Sequence, residues 1–326
     1  MKKIRDINTI QNLVELLTIS LEHEWAVSFE YLFHAYSMPK AKYFYEDPVL
    51  QAKTDVRGQT IQIAIDEMYH SQQFGLVLHD LGISPSFKTD EVIRFPRILD
   101  NLRRDKDTED TVTDLYQSAR FAEGDHPEIH NMLLNIAADE VRHGKQFQAM
   151  IETMTGRGEA EDRIIQPDPA AETQEPVRLL HELTRRENDI VHRYLFFVFL
   201  FSDTQDLGAR LFKNSIDHMR HWDKNSGLLI KLGSLIRIEN AEGRPDGSER
   251  SVRPMADLFP AADRRAAVEA LAAAEQELIG LYEQAVAAAP TAEVRDQLGF
   301  HLSQNREHLL TQKELMANAL KIKGLK

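Results

Sequence analysis

The sequence predicts an all-α protein that consists of two tandem four-helix bundles. Apolar residues recur at three- and four-residue spacing through almost every long segment, as on the buried face of a helix. Alternating runs of β-branched residues bounded by turn residues, which are typical of strands, are nearly missing. The length of 326 residues corresponds to two domains of about 150 residues each.

The first four helices are bounded by segments that contain Gly or Pro, which end a helix. These breaks lie at Met38-Pro39, Gly82 to Pro85, Gly124 to Pro127 and Gly156 to Gly158. The connection 82–96 is the longest and would be the crossover between the two halves of a bundle. A first domain is expected over residues 1–158, with helices at about 8–38, 49–81, 97–124 and 127–155.

The second half repeats this organisation. The stretch 156–176 contains Gly, Pro and acidic side chains and shows little periodicity, so a linker is expected at residues 159–176. The loop 239–260, rich in Gly, Pro and charge, stands where the first half has its crossover. A second, divergent domain is expected over residues 177–326, with helices at about 177–203, 207–236, 260–289 and 291–322.

Composition and charge exclude several classes of function. The chain contains no cysteine, which excludes disulfides and metal sites built on sulfur, so any metal must bind oxygen and nitrogen ligands. The formal net charge of −13 argues against a nucleic-acid partner. No apolar run approaches the roughly 20 residues that cross a bilayer, and the N-terminal segment lacks the pattern of a secretory signal. A cytoplasmic protein without a membrane partner is expected.

Two of the predicted helices carry the same motif of acidic residues and histidine. It reads DEMYH at 66–70 and DEVRH at 139–143. Glu and His three residues apart lie on one face of a helix, so each motif can bind metal ions from one side. A single Glu-x-x-His is a weak signal, since many helices contain one by chance.

The two remaining helices of the first half each supply one glutamate and a tyrosine seven residues later. These pairs are Glu24 with Tyr31 and Glu109 with Tyr116, each about two turns apart on one face. Glu109 and Glu140 lie 16 and 15 residues from the turn near residue 125. Both are therefore roughly 23 Å from that turn and reach the same layer of the bundle.

One glutamate from each of two helices and Glu-x-x-His from each of the other two form a ligand set typical of dinuclear carboxylate sites. We therefore predict a dinuclear metal site that is also the catalytic core. The alternative is that these residues are solvated carboxylates and core histidines, the commoner fate of a single Glu or His. The six predicted ligands are Glu24, Glu67, His70, Glu109, Glu140 and His143.

Four further side chains are predicted to support the ligands. Asp66 and Asp139 each precede a ligand glutamate and could accept a hydrogen bond from the outer ring nitrogen of the opposing histidine. Their alternative role is that of surface acids on a helix. Tyr31 and Tyr116 are expected to be core aromatic residues whose hydroxyl groups point at the site.

At these residues the sequence resembles the ferritin-like di-iron carboxylate superfamily, which includes ferritins, bacterioferritins, rubrerythrins and oxygen-activating di-iron oxygenases. The resemblance covers residues 8–155 and implies a ferritin-like fold for both bundles. It also implies two bound iron ions, with manganese or a mixed iron–manganese pair as alternatives, and O2 as co-substrate. Val112 stands where rubrerythrin-like peroxidases carry an additional glutamate, and without cysteine no rubredoxin domain can form.

The balance of four carboxylates and two histidines is similar to that of the oxygen-activating members. It implies an oxidase or oxygenase that acts on a small-molecule substrate and receives electrons from a donor protein. One alternative is an iron-binding protein or ferroxidase without an organic substrate. Another is a tRNA-modifying hydroxylase of related fold, which the acidic charge disfavours. The oligomeric state is left open, with a homodimer as one option.

The second half looks like a divergent copy of the first. IDEMYH at 65–70 aligns with IDHMRH at 216–221, and the Glu-to-Tyr spacing returns as Glu187 with Tyr194 and Glu275 with Tyr282. NREH at 305–308 replaces EVRH at 140–143, so both bridging glutamates are lost. The loss favours a single metal ion or none, with a scaffold domain as the alternative. The candidate second set is Glu187, His218, His221, Glu275 and His308.

Overall fold

A computed structural model describes residues 6–85, 91–122, 125–158, 161–200, 205–252 and 264–318. The chain divides into two compact units. The first comprises Met1–Ile164 and Asn240–Pro254, and the second comprises Ile165–Glu239 and Met255–Lys326. Among the described residues, every helix is too short or too polar to span a lipid bilayer.

The first unit is a bundle of four long helices with short strands at its ends. Its elements are β1 (Asp6–Ile7), α1 (Ile10–Tyr36), β2 (Phe44–Asp47), β3 (Ala52–Asp55), α2 (Val56–Asp80), β4 (Val92–Arg94), α3 (Ile98–Ser118), β5 (Arg120–Phe121), α4 (Pro127–Thr155), β6 (Glu242–Gly243) and β7 (Glu249–Ser251). α1 packs against α2 and α3 against α4, and the pairs meet through α1 with α3 and α2 with α4. The predicted all-α helical-bundle fold is confirmed.

The helices of the first unit begin at local capping signals. The side chain of Thr9 accepts a hydrogen bond from the backbone N–H of Asn12 at the start of α1, at 3.1 Å. Asp55 accepts one from the N–H of Gly58 at the start of α2, at 3.0 Å. Pro127 opens α4, where a missing N–H costs no hydrogen bond.

α2 begins seven residues later than predicted, at Val56. Residues 49–55, expected to be helical, form the turn and second strand of the antiparallel hairpin β2–β3. The carboxylate of Asp47 accepts hydrogen bonds from the backbone of Val49 and Leu50, at 2.8 and 2.9 Å. This local bonding favours a turn over a helix start, so the prediction for these residues was wrong.

α3 ends at Ser118, six residues before the predicted end. The backbone becomes extended at Ala119, and β5 then pairs in parallel with β1. Residues 123–124 of the predicted helix lie outside the described residues. The pairing of β5 with a segment more than a hundred residues earlier could not be deduced from periodicity.

A small sheet assigns residues 240–254 to the first unit, whereas the sequence analysis placed them in the second domain. β4 pairs antiparallel with β7, which pairs antiparallel with β6. The expected linker 159–176 also differs from the structure, because Asp162 is buried and accepts a hydrogen bond from the N–H of Leu99 at 2.8 Å. Contacts between segments distant in sequence leave no periodic pattern.

The second unit repeats the order of helix contacts. Its helices are α5 (Pro169–Glu172), α6 (Glu175–Leu200), α7 (Gln205–Lys231), α8 (Arg264–Ala287) and α9 (Ala292–Ala317). α6 packs against α7, α8 against α9, α6 against α8 and α7 against α9. α7 ends five residues before the predicted end, near Gly233, whose φ of +82° favours glycine. Residues 201–203, 260–263 and 319–322 of the predicted helices lie outside the described residues.

Candidate metal centre

The structure brings the six predicted ligands of the first unit into one buried layer. Each is at most 2% exposed to solvent. They form two overlapping groups in which the donor atoms lie within 4.8 Å of one another. The carboxylates of Glu67 and Glu140 belong to both groups and therefore stand between two adjacent ion positions. The groups are Glu24, Glu67, His70 and Glu140, and Glu67, Glu109, Glu140 and His143.

Both histidines point Nδ1 at the shared carboxylates. His70 Nδ1 lies 2.8 Å from Glu67 Oε2 and 3.0 Å from Glu140 Oε1. His143 Nδ1 lies 2.8 Å from Glu67 Oε1 and 3.5 Å from Glu140 Oε2. Each shared glutamate thus presents one oxygen to either histidine, as a carboxylate that bridges two cations would.

Two tyrosines donate hydrogen bonds to Glu24 and Glu109, the glutamates that belong to only one of the two groups. The hydroxyl of Tyr31 on α1 donates to Glu109 Oε1 on α3 at 2.6 Å, and that of Tyr116 on α3 donates to Glu24 Oε1 on α1. The second oxygen of each glutamate faces the histidines: Glu24 Oε2 lies 4.0 Å from His70 Nδ1 and Glu109 Oε2 lies 3.6 Å from His143 Nδ1. The tyrosines therefore orient one oxygen of each carboxylate toward the cluster.

Most atoms that face the cluster have no hydrogen-bond partner in the described part of the chain. Leaving a buried polar atom unpaired is costly, and buried charges are normally paired or bound to metal. Two divalent cations would satisfy these atoms and neutralise four carboxylates, so the residues present fit a dinuclear metal ion pair. Nδ1 of His143 and Oε1 of Glu67 lie 2.8 Å apart, and Nδ1 of His70 and Oε1 of Glu140 lie 3.0 Å apart, but neither contact has the geometry of a hydrogen bond. The atoms without a hydrogen bond are Oε2 of Glu24, Oε1 of Glu67, Oε2 of Glu109, both oxygens of Glu140 and Nδ1 of His143.

The pKa values of the cluster residues indicate that positive charge stabilises the cluster. Burial and the neighbouring carboxylates raise the pKa of Glu24 and of Glu109 well above the usual range. Burial, the largest single influence, would lower the pKa of His70 and of His143, but the charge of Glu67 and the hydrogen bonds to the surrounding carboxylates together raise both well above the usual range. Without metal ions, protons must therefore supply the missing charge.

Asp66 and Asp139 brace the histidines across the two helices. His143 Nε2 lies 3.2 Å from Asp66 Oδ2, and His70 Nε2 lies 3.4 Å from Asp139 Oδ2. An N–H at Nε2 leaves the lone pair of Nδ1 directed at the cluster. Arg142, which sequence reasoning missed, joins both braces, with its guanidinium 2.7 Å from Asp139 and 3.3 Å from Asp66. Its position inside the DEVRH motif was the available signal.

The second unit brings its five predicted residues into an equivalent layer. Each of them is at most 4% exposed. His218 is common to two groups, one with Glu187 and His221 and the other with Glu275 and His308. The tyrosine contacts recur, since Tyr282 donates to Glu187 Oε1 at 2.5 Å and Tyr194 to Glu275 Oε1 at 2.7 Å.

His218 stands in the position of Glu67 and contacts both carboxylates of this cluster. Its Nδ1 lies 2.7 Å from Glu187 Oε2 and its Nε2 lies 2.9 Å from Glu275 Oε1. Although burial lowers it, Glu275 and Glu187 raise the pKa of His218 to about 10. In the absence of an ion, the ring of His218 therefore carries positive charge between the two carboxylates.

A third buried group of acids and histidine, in the first unit, was missed by the sequence analysis. It contains Glu30, His34 and Asp105. His34 Nδ1 lies 2.7 Å from Asp105 Oδ1 and its Nε2 lies 2.7 Å from the carbonyl of Ile93. Glu30 accepts hydrogen bonds from the backbone of Ile93 and from Arg104. The other atoms of the group have protein partners, whereas Asp105 Oδ2 has none among the described residues, and the group ties α1, α3 and β4 together. The four-residue spacing of Asp105 and Glu109 was the available signal.

A cleft of about 830 Å³ lies along α1 and α3, and none of the six cluster residues lines it. Its walls include His23 and Thr108, the sequence neighbours of Glu24 and Glu109. Arg97, Arg103 and Arg163 also line it. The cleft therefore offers space for a small molecule beside α1 and α3, the helices that carry Glu24 and Glu109.

No model of a protein family matches the sequence, and no curated protein sequence matches it. The geometry of the two clusters is therefore the observation that indicates a function.

Proposed function

We propose that the first unit is a ferritin-like di-iron carboxylate domain and that it uses O2 to oxidise or oxygenate a small-molecule substrate. The observation that carries the proposal is the inward ring of unpaired donor atoms from four helices. Four carboxylates and two imidazoles form a donor set suited to iron or manganese, and its ligand pattern is that of di-iron carboxylate bundles.

The chain's own residues would hold the two ions symmetrically. Glu67 and Glu140 offer an oxygen to each position, while Glu24 with His70 and Glu109 with His143 complete one position each. Asp66 and Asp139 fix the ring orientations through Nε2. When bound and reduced, an iron pair would supply two electrons to O2, so that one oxygen atom could oxidise a C–H or N–H bond of the substrate while the other leaves as water.

The protein's further contribution is to exclude water and to leave room for a substrate. Phe74 and Tyr116, whose ring centroids are 5.7 Å apart, belong to the apolar core of the bundle. Burial of all six ligands keeps bulk solvent from the cluster. The cleft beside His23 and Thr108 favours a small-molecule substrate, and an electron-donor protein would restore the reduced state.

The proposal is tested by metal analysis followed by O2 uptake. Protein purified from cells grown with iron should lose about two iron ions per chain when Glu67 is replaced by alanine. The anaerobically reduced wild type should then consume O2 and oxidise an added organic substrate, measured by an oxygen electrode and mass spectrometry. O2 use that only deposits ferric iron would instead identify a ferroxidase, and retention of all iron by Glu67→Ala would refute the site.

A further inference from the structure

The two ends of the second cluster differ in how completely the protein pairs its own atoms. At the Glu187 end, Oε1 accepts a hydrogen bond from Tyr282 and lies 3.2 Å from His221 Nδ1. Oε2 of the same carboxylate pairs with His218 Nδ1 at 2.7 Å. Both oxygens of Glu187 are therefore paired by side chains of the protein.

The opposite end keeps unpaired buried atoms. Glu275 Oε2 and both amide atoms of Asn305 have no hydrogen-bond partner in the part of the chain that the structure describes, and both residues are fully buried. Glu275 and Asn305 hold the places that Glu109 and Glu140 hold in the first unit. Those two glutamates also present unpaired atoms to their cluster. A cation bound at this end would pair these atoms, as two cations would pair those of the first cluster.

Three donor atoms at this end are spaced as ligands of one ion. Glu275 Oε1 lies 2.9 Å from His218 Nε2 and 3.4 Å from His308 Nδ1, and the two nitrogens are 3.2 Å apart. Ligands that bind one ion at about 2.1 Å and at right angles lie about 3 Å from one another. The triangle of donors matches one face of such a coordination sphere.

The outer nitrogens of both histidines face carboxylates. His218 Nδ1 pairs with Glu187, and His308 Nε2 lies 3.5 Å from Asp217 Oδ2. A hydrogen bond from the outer N–H to a carboxylate is the usual support of a metal-binding histidine, because it fixes the tautomer and the ring. One dication would also balance the two buried charges of Glu187 and Glu275.

We propose that the second unit binds a single divalent transition-metal ion through His218 Nε2, His308 Nδ1 and the carboxylate of Glu275. Two histidines and one carboxylate are a donor set for Fe²⁺ or Zn²⁺ that leaves coordination positions open. Where the first unit has its other ion position, the second unit has the hydrogen bonds of Glu187 with His218 and His221. The proposal does not depend on the function of the first unit.

The test uses the full-length chain with Glu67→Ala, which clears the first cluster. The metal-free protein is titrated with Co²⁺, and bound cobalt is counted after gel filtration and by its visible d–d bands. We expect about one tightly bound equivalent, which His308→Ala abolishes. His301→Ala is the matched control, because His301 lies on α9, is 3% exposed and stacks on His221 without being a proposed ligand. It should retain the ion.

A conservative variant separates ligand loss from misfolding. Glu275→Gln keeps the size of the side chain and should weaken Co²⁺ binding at least about tenfold while the circular dichroism of the helices is unchanged. If Glu67→Ala does not fold, the wild type and His308→Ala are compared instead, and the difference should be about one equivalent. Binding that survives both His308→Ala and Glu275→Gln would overturn the proposal. The proposal would also be overturned if no Co²⁺ bound at saturating concentration and NMR showed that both ring nitrogens of His218 carry a proton.

The outcomes for the two units remain distinguishable. If the first unit binds no metal, wild type and Glu67→Ala will hold the same single equivalent, and His308→Ala will still remove it. If only the second-unit proposal fails, Glu67→Ala will hold none.

Discussion

The two units share the same supporting contacts around clusters of different charge. In both, tyrosines on two helices exchange hydrogen bonds with the glutamates opposite: Tyr31 with Glu109 and Tyr116 with Glu24, then Tyr194 with Glu275 and Tyr282 with Glu187. In both, the outer nitrogens of the motif histidines face side chains of the neighbouring helix, although Gln304 contacts His221 where Asp139 contacts His70.

The difference lies at two positions in the middle of the layer. Glu67 corresponds to His218, and Glu140 corresponds to Asn305. Four buried carboxylates in the first cluster become two in the second, and an imidazole with two nitrogens replaces a carboxylate with two oxygens. The tyrosine and histidine contacts around the cluster, here called the frame, can therefore stay the same. The charge at the two central positions then determines how many cations the cluster requires.

The largest effect is expected from Glu67→Ala in the first unit. Glu67 contributes to both ion positions, so nearly all metal of this unit should be lost, as measured by metal analysis after gel filtration. His218→Ala should remove at most one ion from the second unit. The control is Glu128→Ala on α4, whose side chain is 72% exposed and which should retain full occupancy.

Restoring the first unit's residues in the second should add an ion. The double change His218→Glu with Asn305→Glu recreates four carboxylates and two histidines, so the metal content should rise by about one equivalent over the wild type. Either single change alone supplies only one bridging carboxylate and serves as the control. An unchanged metal count in a folded double variant would show that the two frames are not equivalent.

A smaller loss of metal is expected when the carboxylate that contacts His70 is replaced by an amide, as in the second unit. Asp139→Asn keeps an oxygen for His70 Nε2–H but removes the charge, as Gln304 does for His221. Metal affinity should fall about tenfold or somewhat more, measured by competition with a chelator. Asp110→Asn on α3, with a 59% exposed side chain, should leave the affinity unchanged. Equal affinity for Asp139→Asn would mean that the brace plays no part in binding.

The smallest effect should come from the helix caps, and it should be the same in both units. Thr9 caps α1 with a 3.1 Å hydrogen bond from Asn12, and Thr291 caps α9 with a 3.3 Å hydrogen bond from Val294. Replacing either threonine by alanine should lower the free energy of unfolding by about 1 kcal/mol, measured in urea, with no change in metal content. The serine variants should retain the stability. Metal loss in an alanine variant would contradict the expectation that the helix caps affect stability without affecting metal binding.

The sequence predicted most of the helices and the residues that the first cluster contains. Helical periodicity placed α4 at the observed residues, and the spacing of Glu67 with His70 and of Glu140 with His143 fixed their common faces. The hairpin β2–β3, the sheet β4–β7–β6 and the role of Arg142 were not predicted. The sheet and the contact of Arg142 with Asp66 depend on segments far apart in the sequence, which local spacing does not encode. The hairpin depends instead on local hydrogen bonds to the Asp47 side chain, which helical periodicity does not reveal.

The sequence by itself determined which side chains share a helical face, because the α-helix repeats every 3.6 residues and places residues three and four apart side by side. Only the tertiary structure decided that Glu67 presents one oxygen to each histidine and that Glu187, unlike Glu275, is fully paired by its neighbours. The reason is that hydrogen bonding and charge balance in a buried layer depend on atoms from four helices at once, and their distances are set by packing.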